Sequence, residues 1–208
     1  MSRFIESIKV EDREIFLIEY HQKRVNDTFA HFEKECKINL LQIFKDLELD
    51  EDGLFKFKIT YDLEGNYKEQ LIPYAIPEIE DFELVSVEDL DYRFKYEDRK
   101  KLNQIKEKSS CEEVIIVVDN WITDTSFSNL IFLKDKKWYT PTTYLLNGVQ
   151  RQNLLKTNQI EEIQITLDNI KEFTHFQIIN AMNDFDDMFV YPISKIRNLP
   201  AEYRYLEI

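Results

Sequence analysis

Lys95 has the clearest potential for covalent chemistry among the side chains of this sequence. It lies in the segment YRFKYE, in which three aromatic residues alternate with Arg93 and Lys95, and this alternation favours a half-buried strand. A lysine amine becomes a nucleophile when its surroundings lower its pKa. From position alone, a solvated lysine on the wet face of a strand is the simpler interpretation.

The segment that follows Gly148 could hold an anion. Gly148 precedes VQRQNLLKTN, which has a helical pattern, so the backbone amides of Val149 and Gln150 would point outward at the positive end of the helix dipole. A glycine there permits a close approach to the loop. An ordinary helix start behind a glycine explains the segment equally well.

Composition excludes several classes of function. Lys and Arg total 27 against 40 Asp and Glu, and the net charge of -13 disfavours nucleic acid and anionic membranes as partners. Only three glycines are present, which excludes a GxGxxG fingerprint and a Walker phosphate loop. The two cysteines and three histidines lack metal-ligand spacing. Without an apolar signal core or a long aliphatic run, we expect a cytoplasmic protein.

The order of the predicted helices and strands indicates two small α/β domains, residues 1–94 and 95–208. For the first we expect a β-hairpin of FIESIKV and EIFLIEY, one helical stretch from about His21 to Phe44, and strands at FKFKITYDL, YKEQLIPYAI, FELVSV and YRFKYE. For the second we expect a helix at RKKLNQIKEK, a buried strand at EEVIIVVD and a polar loop at TDTSFSN. Strands at LIFL, KWYTP, EEIQITL and HFQIIN, the helix after Gly148 and a short helix at Asp168 to Phe173 complete it.

Five segments resemble the class IV aminotransferase family, the pyridoxal-phosphate fold type IV group. In chain order they are HQKR, KYEDR, ITDTSFSNLIF, YTPTTYLLNGVQR and IINAM. The resemblance runs from residue 4 to about residue 193. It implies a two-domain D-amino acid aminotransferase-like fold of the α/β (α+β) class, pyridoxal 5'-phosphate as cofactor, a cofactor site at the domain interface and a homodimer.

The resemblance also implies roles for individual residues. Lys95 corresponds to the lysine that forms the Schiff base, because it precedes Arg99 as the family's lysine precedes an arginine. Asp124 stands where the family usually has the glutamate that pairs with the pyridine nitrogen; by itself, it is equally an ordinary turn residue. The residues that the resemblance assigns to the phosphate are Arg24, Gly148, Val149, Gln150, Ala181 and Met182.

The resemblance is closest to 4-amino-4-deoxychorismate lyase, which forms 4-aminobenzoate and pyruvate on the folate route. The compact chain and Ser7 favour this function, because lyase members place a hydroxyl near the substrate at that position; an exposed strand serine is the ordinary alternative. An amino acid aminotransferase, of the branched-chain or D-amino acid type, is the second hypothesis. A relative without cofactor that acts as a binding or scaffold protein is the third, since Asp124 and Gln150 depart from the family and we expect an N-terminal segment to be missing.

Overall fold

The computed structural model describes residues 2–47, 49, 51–88, 90–183, 185 and 189–199. By its internal contacts the chain divides into two compact units. The first unit comprises the described residues of Met1–Ile76 together with Phe94–Asp98 and Ala181–Asn183, and the second comprises the remaining described residues. The segment that contains Lys95 therefore packs within the first unit.

The first unit is a four-stranded antiparallel sheet with two helices. Its elements are β1 (Phe4–Glu11), β2 (Glu14–Ile15), α1 (Ile18–His31), α2 (Leu40–Lys45), β3 (Leu54–Tyr61) and β4 (Tyr67–Pro73). The strand order is β2-β1-β3-β4. One face of the sheet packs against the helices through a core that includes Phe4, Ile8, Val25, Phe29 and Phe57.

Three expectations for the first unit are wrong. The strand expected at EIFLIEY is limited to Glu14–Ile15, because α1 already begins at Ile18. The single helical stretch from His21 to Phe44 is two helices, because Glu33 takes a left-handed φ of 54° and the chain runs without a helix until Asn39 caps α2 through Gln42. The segment YRFKYE is not a strand, and only Tyr96 forms a bridge, to Phe4. Its alternating aromatic residues do not line one face of a strand. Tyr92 packs within the second unit, whereas Phe94 and Tyr96 pack within the first.

The second unit is built on a mixed sheet of eight strands. Its elements are β5 (Phe82–Val87), α3 (Lys100–Glu107), β6 (Glu113–Val118), β7 (Trp121–Thr125), β8 (Asn129–Lys134), β9 (Lys137–Pro141), α4 (Val149–Lys156), β10 (Glu161–Ile163), a 3-10 turn (Ile170–Glu172), β11 (His175–Ile179), β12 (Tyr191–Pro192) and a 3-10 turn (Ile193–Lys195). The order β10-β9-β8-β7-β6-β5 is joined by β11, which pairs with β8 and β12. Strand β6 is almost wholly buried, as its continuous β-branched sequence predicts.

The polar segment TDTSFSN was expected to be a loop, but its two ends belong to strands and only its middle is a tight turn. Asp124 and Thr125 belong to strand β7, and the chain reverses in a tight turn in which the Thr125 amide donates to the Ser128 carbonyl at 2.8 Å. Thr125 also accepts the Ser128 amide through its hydroxyl at 3.0 Å, and this side-chain bond stabilises the turn. Asp124 is thus held on a strand and not on a loop.

Among the described residues, no helix combines the length and the apolar character needed to cross a membrane.

Candidate functional site

A buried ion cluster lies between β1 and α1 of the first unit. Glu6 occupies the core face of β1, between Phe4 and Ile8, and it is completely buried. Arg24 of α1 donates its Nε to Glu6 Oε1 at 2.8 Å and its Nη2 to Glu6 Oε2 at 2.5 Å. The Nδ1 of His21, one turn earlier on the same helix face, lies 2.5 Å from Glu6 Oε2. The carboxylate therefore fixes both side chains of the HxxR segment.

Burial and the neighbouring groups together determine the protonation states of Glu6 and His21. Burial raises the pKa of Glu6, but the charge and hydrogen bonds of Arg24 outweigh that effect and hold the pKa at about 2. Burial lowers the pKa of His21, the hydrogen bond and charge of Glu6 act to raise it, and the charges of Arg24 and Lys95 lower it further, so that the net shift is downward. The histidine is therefore neutral at pH 7 and donates its Nδ1 proton to Glu6.

Lys95 belongs to the same unit as this cluster. Its backbone carbonyl accepts the Ile5 amide at 2.9 Å, and its side chain is half-buried. Its charge lies close enough to His21 to depress the pKa of that imidazole. Lys95 and Arg24 were both predicted to bind the cofactor. In the structure, the charges of both side chains act on the pKa of His21.

Ser7 lies on the opposite face of β1 from Glu6, because successive strand residues alternate in direction. It pairs in register with Lys58 of β3 and is half-buried. Its neighbours on that face, Ile5 and Lys9, are buried. Ser7 therefore does not join the Glu6–Arg24 cluster, and its catalytic role stays a prediction.

The turn after β11 contains Ala181 and Met182, which were also predicted to bind the phosphate. Ala181 and Met182 form a turn that packs with the first unit, and Met182 is 4% exposed. The first unit therefore contains Arg24, Lys95, Ala181 and Met182. The preceding Asn180 donates its Nδ2 to the Ser128 hydroxyl at 2.8 Å.

The second unit holds Asp124 in a different environment. The side chain is buried, with 5% exposed, and its Oδ1 accepts the Nδ2 of Asn129 at 2.7 Å. Its Oδ2 accepts the backbone amides of Leu145 at 2.8 Å and Leu146 at 3.0 Å. Burial raises the pKa of Asp124 to about 6, although these donors and the charge of Arg151 act to lower it.

Such a carboxyl group can exchange a proton near neutral pH. Two of its hydrogen bonds fall on Oδ2 and the Asn129 bond falls on Oδ1. Since each carboxylate oxygen accepts about two hydrogen bonds, Oδ1 has room for one more donor. Asp124 therefore has the hydrogen-bonding capacity for one further donor beside its present partners.

The start of α4 forms as the sequence predicts, but the reason for Gly148 is different. Gly148 caps the helix with φ -64° and ψ 147°, which any residue can adopt. A Cβ on Gly148 would lie 2.0 Å from the Oδ1 of Asn129, so the glycine makes room for that side chain. The first intrahelical bond runs from the Gln152 amide to the Gly148 carbonyl at 3.0 Å, and the amides of Val149 and Gln150 precede it.

Two further residues support the turn beside Asp124. The carboxylate of Glu113, which is fully buried, accepts the Ser126 amide at 3.1 Å and the Ser126 hydroxyl at 3.0 Å. Arg99 donates its Nη2 to the Ser126 carbonyl at 2.7 Å. Both contacts hold the turn that joins β7 to β8.

Sequence reasoning missed Glu6 and Asn129. Glu6 has a visible signal, because a carboxylate alternates with Phe4 and Ile8 on an apolar face and a buried charge needs a partner. Asn129 has no such signal, since its contacts come from β7 and from the loop before α4.

Comparisons with known sequences identify the family of this chain. The family model described as amino-transferase class IV matches residues 93–196. An uncharacterised protein of Haemophilus influenzae (strain Rd) is 32% identical over 187 residues, and the match covers 88% of this chain and 99% of that protein.

Solved structures show the same likeness. A candidate 4-amino-4-deoxychorismate lyase from Haemophilus somnus 129pt is similar with a TM-score of 0.80 at 29% identity, over 89% of this chain and 98% of that chain. A hypothetical aminotransferase from Mycobacterium tuberculosis, in its pyridoxal-phosphate-bound form, is similar with a TM-score of 0.74 at 13% identity, over 95% of this chain and 83% of that chain. These likenesses confirm the mixed α/β fold that the resemblance implied.

Proposed function

Since the chain belongs to the class IV aminotransferase family, we propose that it is a pyridoxal-phosphate-dependent lyase that converts 4-amino-4-deoxychorismate to 4-aminobenzoate and pyruvate. The family is pyridoxal-phosphate-dependent, which supports the cofactor. The observation that carries the lyase reaction is the similarity, at 29% identity over 98% of its length, to the candidate lyase from Haemophilus somnus.

The donor set of this chain fits pyridoxal phosphate. Lys95 supplies an amine for the aldehyde, and Asp124 is a buried carboxyl whose Oδ1 has the capacity for a second hydrogen bond. Arg24 supplies a guanidinium that Glu6 holds in place. The amides at the start of α4 supply the kind of donors that bind a phosphate group. The aldehyde, the ring nitrogen and the phosphate of the cofactor would each have a matching group in the protein.

When bound, pyridoxal phosphate supplies an aldehyde that captures amines and a ring that accepts electrons from the substrate. The Nζ of Lys95 would carry the cofactor and later move the proton that aromatisation and pyruvate loss require. The carboxylate of Asp124 would hold a proton on the ring nitrogen. Arg24 and the amides of Val149 and Gln150, with Ala181 and Met182, would bind the phosphate, and the Ser7 hydroxyl would orient the substrate.

Asp124→Asn tests the part assigned to this carboxyl. The variant should retain the cofactor but lose turnover, because an amide cannot hold the proton of the ring nitrogen. Asp124→Glu should retain activity, since it restores the family's usual residue. Equal turnover numbers for Asp124→Asn and the unmodified protein would remove Asp124 from the proposal.

The second candidate function is an amino acid aminotransferase, which the description of the matching family favours. The two reactions differ in the fate of the substrate nitrogen. A lyase releases it with the aromatic product and regenerates the starting form of the cofactor, whereas a transaminase leaves it on the cofactor.

Product analysis distinguishes the two candidates. The protein loaded with pyridoxal phosphate should release pyruvate from 4-amino-4-deoxychorismate. Glutamate, branched-chain amino acids and D-alanine should convert little of the cofactor to its amine form. Rapid stoichiometric conversion by one of these amino acids, without pyruvate release, would favour the aminotransferase. The proposal includes a homodimer, on the resemblance alone, and light scattering of the purified protein measures it.

A further inference from the structure

Asn129 makes an unusual set of contacts for a single amide side chain. It is the first residue of β8 and stands directly opposite Asp124 of β7. Its Nδ2 donates to Asp124 Oδ1 at 2.7 Å and to the Leu146 carbonyl at 2.8 Å. The side chain is buried, with 6% exposed. One amide group therefore links the carboxyl on the sheet to the loop that leads into α4.

The same side chain also contacts the start of α4. A Cβ added to Gly148 would lie 2.0 Å from Asn129 Oδ1 and 3.2 Å from its Cγ. Because the backbone of Gly148 has a φ that any residue tolerates, only the closeness of Asn129 requires a glycine there. The helix start thus lies directly against the amide that binds Asp124.

We propose that Asn129 is a positioning residue that fixes the Asp124 carboxyl and the first turn of α4 relative to one another. The inference rests on the proposed function, in which these two elements bind the ring nitrogen and the phosphate of one rigid cofactor. A change at Asn129 should then disturb both binding contacts together. An ordinary core asparagine would contribute to stability without coupling the two.

Removing Asn129 should change the titration of Asp124. Asn129 is one of three donors to this carboxyl, and loss of a hydrogen bond to the charged form raises a pKa. The charged group that acts on Asp124 from α4, Arg151, is unchanged in the variants. Hydrogen bonds to charged groups are strong enough to move a pKa by roughly one to two units.

The first arm of the test uses the full chain without cofactor. The titration of the Asp124 carboxyl carbon is followed by nuclear magnetic resonance in Asn129→Ala, in Gly148→Ala and in a control, Asn169→Ala. Asn169 is matched because its side chain also bridges a loop, accepting the Thr166 amide at 2.8 Å and donating to the Gln164 carbonyl at 2.9 Å. Asn129→Ala and Gly148→Ala should both raise the Asp124 pKa, and Asn169→Ala should leave it unchanged.

The second arm uses two halves of the cofactor as separate probes. Inorganic phosphate reports on the start of α4, and pyridoxal, which lacks the phosphate, reports on Asp124. Asn129→Ala should weaken the binding of both probes by about tenfold, the effect of one hydrogen bond to a charged group. Asp124→Asn should weaken pyridoxal alone.

The outcomes separate this inference from the proposed function. An unchanged Asp124 titration in Gly148→Ala, or the loss of only one probe in Asn129→Ala, would overturn the positioning role. If neither probe binds the unmodified protein, the proposed function fails, whereas the titration arm still decides whether Asn129 couples the two elements. If Asn129→Ala does not fold, the titration of Asp124 in Gly148→Ala still tests the positioning role.

Discussion

Glu6 and Asp124 are both buried carboxyl groups, yet the two units hold them in opposite ways. Glu6 is paired with the guanidinium of Arg24, and its pKa is about 2. Asp124 is surrounded by an amide side chain and two backbone amides, and its pKa is about 6. At Asp124 the neutral donors and the charge of Arg151 do not offset burial, whereas the directly hydrogen-bonded guanidinium of Arg24 does so at Glu6.

The difference matches the tasks proposed for the two units. A carboxylate that is permanently charged suits a fixed structural role, and Glu6 orients the arginine that would bind the phosphate. A carboxyl group with a pKa near 6 can share a proton at neutral pH, which suits a partner for a ring nitrogen. The contrast predicts how each unit responds to substitution and to pH.

The largest effect is expected from Arg24→Met. The substitution leaves the fully buried Glu6 without its positive partner and should lower the free energy of unfolding by about 3–5 kcal/mol at pH 7. Urea unfolding monitored by circular dichroism measures the change. Arg24→Lys retains a charge and should lose less. A loss below about 1 kcal/mol in Arg24→Met would show that Glu6 does not depend on this pair.

The pH dependence of stability should have opposite signs for the two carboxyls. The pKa of Glu6 falls from 4.5 to about 2 on folding, so its contribution is complete above pH 4.5 and is lost as pH falls towards 2. The pKa of Asp124 rises from 3.8 to about 6, so its contribution is complete below pH 3.8 and is lost as pH rises towards 6. Each amounts to roughly 3 kcal/mol, at about 1.4 kcal/mol for each pKa unit.

Glu6→Gln and Asp124→Asn separate these two contributions. The stability difference between Glu6→Gln and the unmodified protein should change only below pH 4.5. The difference for Asp124→Asn should change between pH 3.8 and pH 6. Urea unfolding at a series of pH values provides both curves, and slopes of the same sign would contradict the comparison.

A smaller effect is expected where Gly148 meets Asn129. Gly148→Ala should cost about 1–3 kcal/mol of unfolding free energy, since the added methyl overlaps a buried amide. In an Asn129→Ala background the same substitution should cost at least about 1 kcal/mol less, because the amide that it meets is gone. Denaturation of the four proteins of this double-mutant cycle measures the coupling. Additive losses would exclude the contact.

The smallest effect is expected from an exposed pair on the same helix as Arg24. Lys23 Nζ lies 2.5 Å from Asp27 Oδ2, with side chains 64% and 60% exposed. Lys23→Met should change the free energy of unfolding by less than about 0.5 kcal/mol, because water screens an exposed ion pair. The same urea titration used for Arg24→Met gives a direct comparison, and an equally large loss would mean that burial does not account for the Arg24 result.

Local pattern was sufficient to predict much of the fold. Strand β3 follows from its alternation, and β4 follows from the Gly65-Asn66 turn that reverses the chain, where Gly65 has a φ of 88°. Strand β6 follows from its continuous apolar run. The break between α1 and α2 was missed because Phe32 and Cys36 both pack on the core of the first unit and so continue a helical spacing through a segment that is not helical.

The candidate site was less predictable because its contacts join distant segments. Arg24 was predicted from the resemblance and the start of α4 from the residues, and their roles at the phosphate stay predictions. The partner of Arg24, Glu6, becomes visible only when α1 packs on β1. The role of Asn129 depends on β7 and on the loop before α4, which a linear pattern does not bring together.

Chemical trapping tests most directly the proposal that Lys95 carries pyridoxal phosphate. The purified protein is incubated with pyridoxal phosphate, reduced with borohydride, digested and mapped by mass spectrometry, with Lys95→Arg and the exposed Lys101→Arg as paired variants. We predict a reduced pyridoxyl group on Lys95 in the unmodified protein and in Lys101→Arg, and none at this site in Lys95→Arg. A protein that takes up no cofactor, or a pyridoxyl group placed mainly on another lysine, would contradict the claim.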